Sequence, residues 1–155
     1  MNPADVEPAP FKFRLARVRD LRAKAEEEAR LRLAGAVGEV RDAEAELRAA
    51  EGRASAAREQ QAAARLAPLT GTDLLTLQAW QHRTDLAKVD AGAELRRREH
   101  VATRRRAEAV DASRDRQVLD RLHDRRRADH AVAAERVRAA GLDELAQAMH
   151  LRRTA

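Results

Sequence analysis

The stretch Leu66-Ala67-Pro68-Leu69-Thr70-Gly71-Thr72-Asp73 decides how the chain folds. Pro68 is the only proline after Pro10. Inside a helix a proline loses a backbone donor and clashes with the preceding turn, at a cost of roughly 3 kcal/mol. The marks of a restart follow at once. Gly71 permits positive φ, and Thr70 stands three residues before Asp73, ahead of the apolar Leu74-Leu75, in the spacing of a capping box. On either side the chain is free of proline for more than fifty residues and rich in strong helix formers. Residues 66–73 therefore read as the turn of one long helical hairpin.

Upstream, the first helix is expected over residues 11–65. Val18, Leu21, Ala25, Ala29, Leu33, Ala36, Val40, Ala43, Leu47, Ala50, Ala54 and Ala57 recur at steps of three and four, a heptad-like stripe with one stutter near Ala29. Alternation with period two is absent, which disfavours strands. Gly35, Gly38 and Gly52 interrupt the pattern, each at about 1 kcal/mol relative to Ala. A close backbone approach or a local bend would account for them. Residues 1–10 hold three of the four prolines and read as a flexible tail, with Pro10 suited to a first helical turn.

Downstream, a second helix is expected over residues 73–140. Leu75, Ala79, Leu86, Val89 and Ala93 form its apolar stripe, with Leu77 and Trp80 flanking it. Between Arg96 and Gln117 the apolar content falls to alanine plus Val101 and Val110. Gly141 is expected to end the helix, leaving residues 142–153 as a short amphipathic segment. At ~1.5 Å per residue the arms would be roughly 80 and 100 Å long. Helices of that length need a shared apolar seam, and a short turn forces them antiparallel. The expectation is an all-α, rod-like two-helix coiled-coil hairpin, residues 11–155 forming one domain.

Composition agrees. Aromatic residues are 2% and charged residues 37%, while much of the hydrophobic 44% is alanine, so a wide globular core is disfavoured. The 155 residues carry a net charge of +5. Most of that excess lies after residue 70, where Arg96-Arg97-Arg98, Arg104-Arg105-Arg106 and Arg125-Arg126-Arg127 fall. Each arginine triplet spans about 200° of helix and so wraps it rather than forming a stripe. Nucleic-acid binding would exploit such clusters, yet stacking aromatics are missing and acids intersperse the basic runs. A ring of carboxylates on a protein partner suits them equally well. With no cysteine there is neither a disulfide framework nor thiolate chemistry. No apolar run approaches the ~18 residues that span a bilayer, and the first residues lack a basic region followed by an apolar one, so the expected location is cytoplasmic.

Catalysis finds no support. His123 and His130 are seven apart, on one face but beyond a shared coordination sphere, and read as solvated. No histidine pair has the i, i+4 spacing that grips zinc. Neither a phosphate-binding glycine loop nor a nucleophile motif is present, and two paired helices enclose no pocket. The expectation is a non-enzymatic protein without cofactor or metal. Trp80, near the hairpin tip, reads as an interface anchor, since a thin coiled coil cannot bury it fully.

Three stretches carry a resemblance. Phe11-Lys12-Phe13-Arg14-Leu15-Ala16-Arg17-Val18, followed by Glu26-Glu27-Glu28-Ala29, resembles the opening of the flagellar FliJ family of type III export proteins. Gly71 to Trp80 is similar to that family's segment after the turn, and Leu142-Asp143-Glu144-Leu145-Ala146 to its C-terminal signature. Leu77 stands where an aromatic is often found, and Thr84 where a leucine is usual. The resemblance implies a central stalk in the hexameric export ATPase, promoting its assembly and activity, with the tip toward the export gate protein FlhA and export chaperones among its partners. It places gate contacts at Leu77, Gln78 and Trp80. It places ATPase contacts at the terminal ends, at Phe11, Phe13, Arg14, Leu15, Arg17, Val18 and Leu142 to Ala146. Arg125, Arg126 and Arg127 join these on charge. The location implied is peripheral to the inner membrane at the flagellar base. The alternative is a basic coiled-coil spacer or a nucleic-acid-associated protein.

Overall fold

A computed structural model describes residues 9–66 and 68–154. The tail reading for residues 1–8, and Ala67 within the turn, lie outside the described residues. Among these, regular structure is two α-helices and no strand: α1 (Ala16–Ala64) and α2 (Gly71–Thr154). The two pack against each other as a helical hairpin, the fold class the sequence points to.

The turn forms from the chemistry its residues carry. α1 closes with Arg65 N–H donating to Gln61 O at 3.3 Å and Leu66 N–H to Ala63 O at 3.1 Å. Pro68 follows, and Leu74 N–H donates to Thr70 O at 3.1 Å as α2 begins. Gly71 is already helical, and no described residue has positive φ, so its freedom at the turn goes unused.

Two boundaries differ from expectation. α1 begins at Ala16, not residue 11. The residues before it stay outside the helix, Ala16 N–H donating to Phe13 O at 3.1 Å across a turn at Arg14 and Leu15, while Phe11 and Phe13 both pack toward α2 against His123. Side chains two apart diverge on a helix, where Phe11 and Phe13 could not both reach one imidazole. At the other end, α2 runs through Gly141 to Thr154 without a break, so residues 142–153 are not a separate segment. A glycine stops a helix by adopting positive φ, which Gly141 does not do, and the surrounding Ala, Leu, Glu and Arg favour continuation.

Contacts group the described residues into two compact units, one formed by residues 9–25 with residues 112–154, the other by Glu26–Asp111. In the second unit the helices run antiparallel. Arg58 pairs with Asp85 at 2.7 Å and Arg98 with Glu39 at 2.7 Å. Its α1 seam is a strict heptad from Glu26 through Ala29, Leu33, Ala36, Val40, Ala43, Leu47, Ala50, Ala54 and Ala57, with no stutter. Ala50, Ala54 and Ala57 are essentially inaccessible. Glu26 is buried on this face, its carboxylate accepting from Arg30 at 2.6 Å.

The facing seam on α2 is Leu77, Gln81, Thr84, Lys88, Ala91, Leu95, Arg98, Ala102, Arg105 and Ala109. This corrects the expected stripe. Leu75, Leu86 and Val89 are exposed by 67%, 50% and 64%, and Ala79 is exposed as well. They lie on the side of α2 opposite its seam. Thr84 fits the buried face because its hydroxyl donates to Gln81 O at 2.9 Å.

In the first unit the helices are likewise antiparallel. Arg19 Nε donates to Asp120 at 2.6 Å, and Arg22 pairs with Asp115 at 3.0 Å. Arg19 and Ala23 take the half-buried positions, leaving Val18 and Leu21 exposed despite their place in the expected stripe. Among the described residues no helix is long and apolar enough to cross a membrane.

Candidate partner-binding sites

The first unit builds an aromatic cluster from residues far apart in sequence. Phe11 lies edge-on between two imidazoles, 5.6 Å from His123 and 5.5 Å from His130. Phe13 meets His123 at 5.1 Å. A hydrogen bond of 2.9 Å joins His130 Nε2 to Ala9 O, and one of 3.0 Å joins His123 Nδ1 to Asp124. Seven-residue spacing does put both imidazoles on one face of α2, but they are half-buried against the phenyl rings rather than solvated. Edge-to-face pairs of this kind add about 0.5–1.5 kcal/mol each beyond area burial.

Around this cluster the expected terminal-end residues take different positions. Phe11 and Phe13 are half-buried within it, while Arg14, Leu15, Arg17 and Val18 are exposed beside it. Arg125, Arg126 and Arg127 are exposed on α2. Leu142, Asp143, Glu144 and Ala146 are exposed further along α2, and Leu145 is half-buried. Sequence puts His123 and His130 on one face but does not reveal their ring contacts, because their partners Phe11 and Phe13 lie more than a hundred residues away.

Electrostatics here favour ionised carboxylates. The Arg19 hydrogen bond holds Asp120 below the usual carboxylate range, helped by the charges of Arg19 and Arg116. In the second unit, hydrogen bonds from Arg97 and then Arg98 lower Glu94, and the bond from Arg105 lowers Glu108. Arg98 is raised in turn by Glu94 and Glu39.

Near the hairpin turn, Gln78 is exposed while Leu77 and Trp80 are half-buried. Leu77 belongs to the seam, and Trp80 sits beside it. The apolar side chains most open to solvent near the turn are instead Leu66, Leu75, Leu86 and Val89.

No curated protein and no solved structure matches the chain. A family model described as flagellar FliJ protein matches residues 11–155, which includes the paired helices, the aromatic cluster and the whole of the C-terminal segment. The chain belongs to the flagellar FliJ family.

Proposed function

We propose that this chain is a non-enzymatic central-stalk component of the flagellar type III export apparatus. Membership of the family supports a role in flagellar export. On this reading the terminal ends enter the hexameric export ATPase and promote its assembly and turnover, while the tip faces the export gate protein FlhA. Export chaperones are further partners, and the working location is cytoplasmic, peripheral to the inner membrane. The observation that carries the reading is the family match across nearly the whole chain.

Physical support comes from the exposed cations of the first unit. A symmetric ring around an asymmetric stalk must accept many rotational settings, so its contacts should be long-range and polar rather than interlocking. Arg14, Arg17 and Arg125 to Arg127 offer exposed positive charge on several sides. Gate contact is assigned to Leu77, Gln78 and Trp80, with Gln78 the accessible member.

The test replaces Arg125, Arg126 and Arg127 with Ala and measures stimulation of the export ATPase across protein concentrations. Stimulation is expected to need more protein and to lose its salt sensitivity. Unchanged stimulation at every concentration would remove these residues from the role. Co-purification with the ATPase, with and without nuclease, separates a protein contact from an RNA-bridged one.

A further inference from the structure

We infer that the groove between residues 11–15 and α2 binds an acidic peptide segment carrying a bulky apolar side chain. The hollow measures about 800 Å³ and lies within the first unit. Phe11, Phe13, Leu15 and Leu122 line it with apolar surface. Lys12, Arg14 and Arg126 line it with positive charge, against the single carboxylate of Asp129.

That combination selects the ligand. An apolar lining with three cations and one acid favours an anion attached to a hydrophobic body, and disfavours both a cation and a bare ion. Length argues for peptide rather than a small anion. On α2 the lining runs from Leu122 to Ala133, roughly 16 Å at the helical rise of ~1.5 Å per residue. That matches four or five residues of extended chain at ~3.3 Å each. Guanidinium groups of Arg14 and Arg126 would each take a carboxylate with charge-assisted, bidentate hydrogen bonds. A leucine or phenylalanine beside that carboxylate would enter the space against Phe11 and Leu122. Phe11 is in turn fixed by its contacts with His123 and His130, so the lining is pre-formed.

The groove shares Arg14 and Arg126 with the proposed ATPase-binding end. The inference therefore deepens that reading by naming the chemistry of the segment bound there, while its test reads peptide binding without the ATPase. The experiment titrates the ¹⁵N-labelled full chain with acetyl-Asp-Leu-Glu-Phe-amide and with its neutral counterpart acetyl-Asn-Leu-Gln-Phe-amide. Saturable shifts are expected at residues 11–15 and 122–133 with the acidic peptide, and binding about tenfold weaker with the neutral one. A Lys12→Gln, Arg126→Gln double variant should weaken the acidic peptide by a similar, roughly tenfold factor while its thermal melt is kept. Raising NaCl from about 0.05 to 0.5 M on the parent chain should weaken binding too, which gives a readout independent of any variant. Equal binding of the two peptides, shifts spread over Leu75, Leu86 and Val89, or salt-insensitive binding would each overturn the inference. ATPase stimulation is scored separately, so failure of the stalk reading leaves the peptide result to be judged by itself.

Discussion

Thr70 and Asp73 cap α2 reciprocally. Asp73 N–H donates to Thr70 Oγ1 at 3.1 Å, Thr70 N–H donates to Asp73 Oδ2 at 3.1 Å, and the Thr70 hydroxyl donates to the same carboxylate at 2.6 Å. Two backbone donors that a helix start would leave unsatisfied are thereby used. Thr70→Ala removes the cap and should destabilise the hairpin by about 1 kcal/mol in urea unfolding. Thr70→Ser, which keeps the hydroxyl, should recover most of the loss. A Thr70→Ala chain as stable as the parent would mean that the turn does not depend on this cap.

The same geometry sets a pH dependence. Hydrogen bonds from Thr70 hold Asp73 below the ordinary carboxylate range, and arginines do so for Glu94, Glu108 and Asp120. A carboxylate with a depressed native pKa stabilises the fold above its unfolded value, and that stability is lost as pH falls through the native value. The urea midpoint should therefore hold from neutral pH down to about 5 and fall below about 4. Asp120→Asn should flatten part of that fall, because Asp120 receives the Arg19 hydrogen bond. An equally steep fall in the variant would show that the Arg19–Asp120 pair plays no part in acid sensitivity.

How far the sequence could be read depends on what occupies each seam. The turn was legible because proline and the Thr-x-x-Asp spacing act locally. α1 was largely legible because Ala29, Leu33, Ala36 and their successors are apolar wherever the helix is buried, but Glu26 on the buried face made the stripe look stuttered. On α2 the buried face carries Gln81, Thr84, Lys88, Arg98 and Arg105. Apolar periodicity therefore pointed to Leu75, Leu86 and Val89, on the opposite side. Long side chains such as Lys88 and Arg98 can cover a seam with their methylene stems while their charges reach water, which a count of hydrophobic residues does not register. The cluster of Phe11, Phe13, His123 and His130 was illegible for another reason: it exists only once the ends of the chain are brought together.

Gly35, Gly38 and Gly52 provide a direct measure of helix propensity. A methyl group built on any of them meets nothing within 4 Å, so no close approach requires glycine there. None has positive φ. Replacement by Ala should stabilise the chain by about 1 kcal/mol at each site, through reduced backbone entropy in the unfolded state. Thermal unfolding of the three single variants and of the triple variant checks both size and additivity. A loss of stability at any of them would reveal a bend that the helix needs.

The alanine seam and the outer leucines should respond to substitution in opposite ways. Ala54 is 1% exposed, between Ala50 and Ala57 on the buried face of α1, so the helices there approach too closely for a larger side chain. Ala54→Leu should cost about 1–3 kcal/mol by forcing the pair apart, although leucine is a good helix former. Leu86, half exposed on the far side of α2, should accept Ser within about 0.5 kcal/mol of the parent once helix propensity is considered. Urea unfolding of the two variants decides which face is the seam. If Leu86→Ser proved the costlier change and Ala54→Leu were tolerated, α2 would have to pair through Leu75, Leu86 and Val89, with Thr84 and Lys88 turned to solvent.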